Sequence, residues 1–161
     1  GHTVGGGLEI ALACDLRVGR AGDFVVGLPE VNLGVLPGTG GTQRLARLVG
    51  KGRAMELMCE GENVSFERAV ELGIINKTWE AESHAAFMKK ILDYALEFTA
   101  PHKAVLAIGN IKRAVQSGVE MSLAQGLAFE RELQSQLFSS QDAKEGLNAY
   151  IAKRPPQFKG K

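Results

Sequence analysis

The sequence predicts a mixed α/β chain, with a glycine-rich front section of short strands and helices leading into a region that is mostly helix. Three observations predict it. Of the 20 glycines, 13 fall within residues 1–52, and glycine at that density marks tight turns and close backbone approaches. Met88, Ile91, Leu92, Ala95 and Leu96 recur at the i, i+3, i+4, i+7, i+8 spacing of one buried helical face. Ser122-Leu123-Ala124-Gln125 and Asp142-Ala143-Lys144-Glu145 both have the form of capping boxes, each opening a helix.

The elements follow in order. Gly5-Gly6-Gly7 leads into a short apolar helix from Leu8 to Cys14, and strands are expected at Asp15–Gly19 and Phe24–Val26. Pro29-Glu30 turns the chain out of the second strand. Residues 36–41 form a loop ending at Thr42, from which a helix runs through Arg44, Leu45 and Leu48. A second helix carries Ala54, Leu57 and Met58 and stops at Gly61. Ser65 can cap a further helix that ends at Gly73, with a short strand at Ile74-Ile75. Beyond the helix carrying Met88, Pro101 starts another through Val105, Ile108 and Val115. Lys159-Gly160-Lys161 reads as a frayed tail.

Composition narrows the class. The chain has 161 residues, 45% hydrophobic and 23% charged, which is the balance of a globular domain. Its formal net charge of +1 gives no electrostatic case for nucleic acid or an anionic membrane as partner. Cys14 and Cys59 form no C-x-x-C pair, and reduced thiols in the cytoplasm are expected. No apolar stretch approaches the roughly 18 residues that span a bilayer. His2, His84 and His102 lack ligand spacing, so no metal site is expected. Arg17 reads as a structural ion-pair partner and Trp79 as a half-buried packing residue.

The chemistry lies in the front section. Glu9 and Glu30 each stand in a glycine- or proline-shaped frame, Gly5-Gly6-Gly7-Leu8-Glu9 and Gly27-Leu28-Pro29-Glu30. Two carboxylates can divide acid–base work, one handling a water and the other a carbon-bound proton. Consecutive glycines at a helix start leave amide N–H groups free, aided by the positive end of the helix dipole. Such amides suit a phosphate or an oxyanion growing on a carbonyl. Phosphate motifs fail. Gln43 and Ile10 occupy the sixth place of the two G-x-G-x-x-G candidates, and Leu45 stands where a P-loop ending at Gly50-Lys51 needs glycine. The oxyanion reading remains.

These residues resemble a known family. The string from Gly5 to Arg17, Gly5-Gly6-Gly7-Leu8-Glu9-Ile10-Ala11-Leu12-Ala13-Cys14-Asp15-Leu16-Arg17, is similar to the signature of the crotonase (enoyl-CoA hydratase/isomerase) superfamily. So are Gly27-Leu28-Pro29-Glu30-Val31-Asn32-Leu33-Gly34 and Pro37-Gly38-Thr39-Gly40-Gly41-Thr42-Gln43-Arg44-Leu45, with Asp142–Gly146 and Lys153-Arg154-Pro155 continuing the likeness. The resemblance implies an α/β crotonase fold: residues 1–80 as the final ββα spiral turns with the active-site motifs, and 81–161 as a C-terminal helical trimerisation region. It implies that the chain is the C-terminal portion of such an enzyme, with the first spiral turns, much of the coenzyme A site and one oxyanion donor lying outside it. The portion alone is expected to be inactive.

The resemblance also implies roles. Gly6 matches the second oxyanion N–H donor. Glu9 matches the carboxylate that activates the water added at C3, and Glu30 the one that exchanges the C2 proton. Gly38 matches a glycine that helps position the water, while Phe138, Tyr150 and Lys153 match positions contacting the coenzyme A nucleotide. Retention of both carboxylates points to hydration of trans-2-enoyl-CoA thioesters, without metal or redox cofactor, coenzyme A being part of the substrate. The expected assembly is a homotrimer or hexamer. The alternatives are an enoyl-CoA isomerase or other crotonase-type acyl-CoA enzyme, and a non-catalytic truncated assembly subunit.

Overall fold

The computed structural model describes residues 1–161 and divides at Met88/Lys89 into two units. In the first, β1 (Thr3–Val4) runs into Gly5, whose φ of 58° suits a residue without a side chain. Helix α1 (Gly6–Leu12) follows, then β2 (Val18–Arg20) and β3 (Val25–Gly27). β1 and β3 pair in parallel, Thr3 opposite Val26 and Val4 opposite Gly27, and β4 (Val64–Ser65) adds antiparallel to the other side of β3. A second sheet pairs β2 in parallel with β5 (Lys77–Trp79). Parallel partners need crossover connections, and helices supply them: α1 lies between β1 and β3, and α2 (Gly41–Val49), α3 (Lys51–Glu60) and α4 (Phe66–Glu71) lie between β2 and β5.

The core of this unit gathers Leu8 and Leu12 of α1, Val26 and Leu28, Leu45 of α2, Ala54 of α3, Phe66 and Ala69 of α4, and Ile74 and Ile75. Ile74 and Ile75 were expected to form a strand. They instead turn directly after α4, where both amides donate to the Ala69 carbonyl at 2.8 and 3.1 Å. Their side chains are drawn into the core, and the strand starts only at Lys77. Arg17 fixes that start. Its amide donates to Asn76 Oδ1 at 2.7 Å and its carbonyl accepts the Asn76 N–H at 2.9 Å. Its guanidinium also ties down the carbonyls of Ile74 and Cys14, at 2.6 and 2.7 Å. Expected as an ion-pair partner, Arg17 is structural here through its hydrogen bonds to carbonyl oxygens.

Helix α5 (His84–Leu96) carries the division between the units. The apolar face expected to be buried lies open on it: Met88, Leu92 and Leu96 are exposed. The second unit continues with α6 (Val105–Gly118), α7 (Leu123–Phe138) and α8 (Gln141–Ile151). Pro101 does not start α6; turns closed on the Thr99 carbonyl by His102 and Lys103 intervene. Ser122 caps α7 with the reciprocal Gln125 bond of a capping box. Asn110 of α6 donates to the Leu133 carbonyl of α7 at 3.1 Å.

Two further expectations fail together at α8. Its cap is Ser140, whose hydroxyl accepts the Ala143 N–H at 3.0 Å, so Asp142 lies inside the first turn rather than ahead of it. Asp142 is buried, and its carboxylate accepts the N–H groups of Lys159 and Gly160, both at 2.8 Å. The Asp142 amide, unpartnered within its own helix, donates to the Lys161 carbonyl at 3.0 Å. The tail is therefore anchored, not frayed. Glu145 strengthens it, accepting both guanidinium nitrogens of Arg154 at 2.7 and 2.9 Å and the Gln157 N–H at 2.8 Å. No helix is long and apolar enough to cross a membrane.

Candidate active site

The site is built around Gly5. Its amide donates to the Gly27 carbonyl at 2.9 Å, pinning the end of β1 to the end of β3. Its carbonyl accepts the N–H groups of Leu8 and Glu9 at 2.8 and 3.1 Å, closing the first turn of α1. The amides of Gly6 and Gly7, at the head of that helix, have no intrahelical acceptor. Both residues are exposed, and a Cβ on either would meet nothing within 4 Å.

One turn into α1, Glu9 is 4% exposed. Its Oε1 accepts the N–H groups of Thr39 and Gly41 at 2.8 and 2.7 Å, and its Oε2 accepts the Thr39 hydroxyl. Burial pushes the Glu9 pKa up, but the Thr39 hydroxyl, the two amides and the nearby Arg44 charge outweigh it and hold the carboxyl below its ordinary value of 4.5. Gly41 permits the approach. A Cβ there would stand 2.9 Å from Glu9 Oε1, 2.8 Å from Pro37 and 3.0 Å from Leu28. Arg44 donates to the Thr39 carbonyl at 2.9 Å and steadies the loop from its far side.

Glu30 opens a 3-10 turn (Glu30–Leu33) closed by Gly34 in the left-handed region. Asn32 anchors this turn by donating to the Gly61 carbonyl at 2.9 Å. Where Glu9 takes three donors, Glu30 is the reverse: its Oε2 is buried with no hydrogen-bond partner. Its Oε1 lies 3.2 Å from where a Cβ on Gly5 would stand, so the missing side chain of Gly5 is the room that the carboxylate occupies. A buried oxygen without a donor is where a polar ligand group or a transferable proton fits.

The structure thus sets the Glu30 carboxylate against Gly5 and starts the α1 turn that carries Gly6 and Glu9 from the same residue, and it places Gly38 next to the residue that holds Glu9. Gly38 is exposed, and a Cβ on it would meet only the Leu36 carbonyl, at 3.8 Å. Phe138, Tyr150 and Lys153 belong to the second unit. Phe138 ends α7, Tyr150 lies on α8, and Lys153 follows with φ 52°, its amide donating to the Tyr150 carbonyl at 3.2 Å. All three are exposed. Sequence reasoning missed Thr39, Gly41 and Arg44. The available signal was a Thr between glycines just ahead of a helix, where hydroxyl and amide donors converge.

Comparison with known proteins bears on the fold and the family. The family model described as enoyl-CoA hydratase/isomerase matches residues 1–161. A crystal structure of an enoyl-CoA hydratase from Geobacillus kaustophilus superposes with a TM-score of 0.92 at 48% identity, covering 100% of this chain and 59% of that one. The 2,3-dehydroadipyl-CoA hydratase of Escherichia coli is 37% identical over 164 residues, covering 100% of this chain and 61% of the relative. The mitochondrial methylglutaconyl-CoA hydratase of Mus musculus is 41% identical over 162 residues, covering 99% and 50%. The chain therefore spans about half to three-fifths of the length of these relatives. With its fold shared at that TM-score and its whole length matched by the family model, the chain belongs to the enoyl-CoA hydratase/isomerase family.

Proposed function

We propose that this chain is the C-terminal part of a hydratase that adds water to trans-2-enoyl-CoA thioesters, giving 3-hydroxyacyl-CoA. The observation that carries the reading is the contrast between the surroundings of the two carboxylates. Glu9 is fixed by three donors that hold its pKa below the ordinary value, and Glu30 has a buried oxygen with none. In this scheme Glu9 holds the water that attacks C3, and Glu30 exchanges the C2 proton. Gly6 N–H helps hold the thioester oxygen as negative charge develops on it, and Gly38 helps place the water. Phe138, Tyr150 and Lys153 would meet the coenzyme A nucleotide. Addition of water across a conjugated double bond is acid–base chemistry throughout, so neither metal nor redox cofactor is required. Assembly as a homotrimer or hexamer is part of the same proposal.

One observation favours a second reading, an enoyl-CoA isomerase. Three donors on Glu9 are also what a purely structural carboxylate would have, and isomerisation can run on Glu30 alone. The two glutamates are separated by substitution in the full-length protein that contains this segment. Glu30→Gln should abolish both crotonyl-CoA hydration and deuterium exchange at C2. Glu9→Gln should cripple hydration by about 10²–10⁴-fold with KM little moved, while exchange at C2 persists. A Glu9→Gln variant that hydrates at the wild-type rate in a correctly folded oligomer would sink the hydratase reading and leave the isomerase.

A further inference from the structure

The three donors on Glu9 differ in kind. Oε1 takes two backbone amides, from Thr39 and Gly41, which any residue keeping the loop's shape would supply. The hydrogen bond on Oε2 comes from a side chain, the Thr39 hydroxyl. A carboxylate offers about two lone-pair sites per oxygen. Oε1 is therefore filled, and the position left for a further donor is on Oε2, beside the Thr39 hydroxyl. We propose that Thr39 is a positioning residue: its hydroxyl sets the plane of the Glu9 carboxylate and thereby the single lone pair offered to a water. This rests on the reading of Glu9 as the water-holding carboxylate.

The surrounding loop is built to keep Thr39 in place. Arg44 reaches back from α2 to the Thr39 carbonyl at 2.9 Å. Gly40 intervenes with φ 107°, and a side chain there would run into the Arg44 guanidinium. Thr39 is thus gripped at its carbonyl by Arg44, while its amide and hydroxyl both face Glu9. The hydroxyl also stabilises the charged form of a buried acid, so removing it shifts Glu9 toward protonation. A Thr39 that merely packed the loop would change stability when replaced and leave the titration of Glu9 where it was.

The test compares Thr39→Val, which keeps the shape and loses the hydroxyl, with Thr39→Ser, which keeps the hydroxyl. Both are made in the full-length protein, with crotonyl-CoA as the probe. Thr39→Val should move the acid limb of the kcat profile up by about one pH unit. It should also lower kcat about tenfold or more, with KM unmoved. Thr39→Ser should restore both. Glu9 is titrated independently by carbon-13 NMR of labelled glutamate, where the same upward move is expected in Thr39→Val. An acid limb and a Glu9 titration both unchanged in Thr39→Val would overturn the proposal. If that variant does not fold, Thr39→Ala carries the same expectation and the same overturning result. The NMR titration keeps the two readings apart. Wild-type hydration by Glu9→Gln defeats the role of Glu9, whereas an unmoved Glu9 resonance in Thr39→Val defeats the role of Thr39.

Discussion

The buried carboxylate of Asp142 accepts the backbone N–H of Gly160 at 2.8 Å, joining the first turn of α8 to a residue 18 positions downstream. The neighbouring Lys159 amide is held by the other oxygen of the same carboxylate. Hydrogen bonds to a buried charge are worth about 1.5–3 kcal/mol each, and an orphaned donor costs more than an exchanged one. Asp142→Ala should therefore destabilise the helical unit by about 2–4 kcal/mol in denaturant titration. Amide exchange at Lys159 and Gly160 should rise to the rate of an open chain, with Asp142→Asn falling between. Unchanged protection of those two amides in Asp142→Ala would show that the carboxylate does not hold the tail.

Glu145 makes the same tail sensitive to acid. Its hydrogen bonds from Arg154, then from the Gln157 amide, lower its pKa from the ordinary 4.5 to about 2. The folded value lies below the unfolded one, so the stabilisation is present above pH 4.5 and is lost as pH falls toward 2. The Gln157 amide resonance should shift across that window, and Glu145→Gln should remove the transition. A Gln157 signal that moves equally in both proteins counts against Glu145 as the group responsible.

Two glycines of the 37–41 loop should respond in opposite ways. Gly41→Ala places a methyl 2.9 Å from Glu9 Oε1 and 2.8 Å from Pro37. That overpacking should cost about 1–3 kcal/mol in stability and displace the carboxylate. Gly38→Ala meets nothing closer than 3.8 Å and should leave thermal unfolding unchanged. Any loss of hydration in Gly38→Ala is then a loss of water placement. The proposed role is that of the Gly38 backbone, which alanine keeps, so Gly38→Pro, which removes the N–H, is the stricter test. Full activity there would remove Gly38 from the proposed site.

The 161-residue chain alone should hydrate crotonyl-CoA at least about 10²-fold more slowly than the full-length enzyme. In the proposed scheme a second oxyanion donor lies outside this segment, and loss of one donor has an effect of that size; the chain spans only 50–61% of the relatives quoted above. Loss of absorbance of the conjugated thioester measures it. Turnover within tenfold of the full-length protein would show that this part is catalytically self-sufficient.

Met88, Leu92 and Leu96 stand at i, i+4, i+8 on α5 and are 39%, 59% and 58% exposed. An apolar stripe of that kind is rare on a monomer. Sedimentation should show trimers, or trimers paired into hexamers, and Leu92→Glu should weaken them. A well-folded monomer at micromolar concentration overturns the expectation.

The front section was largely legible because glycine and proline act locally. Gly5, Gly40 and Gly61 take the positive φ that few other residues tolerate, so helix starts and stops could be read from them. Glu9 and Glu30 stood out for the same reason. The long-range partners could not be read. Nothing near Glu9 in sequence indicates that Thr39, 30 residues on, completes its shell. The Asp142 motif failed similarly, because a capping-box spacing is satisfied equally well by a carboxylate that turns inward to a distant tail. Ile74-Ile75 has strand composition, yet core demand outweighed propensity.

The Arg17–Asn76 bridge has a kinetic consequence. It sets the register of β2 against β5 between residues 59 positions apart in the chain. Closure of so long a loop costs entropy before any contact repays it, and pairings of this sort form late. During synthesis β2 leaves the ribosome with an unmatched hydrogen-bonding edge, and it keeps that edge until α2, α3 and α4 have been made and Lys77–Trp79 emerges. The nascent chain is most exposed to wrong pairing in that interval, and it ends only when Asn76 reaches Arg17.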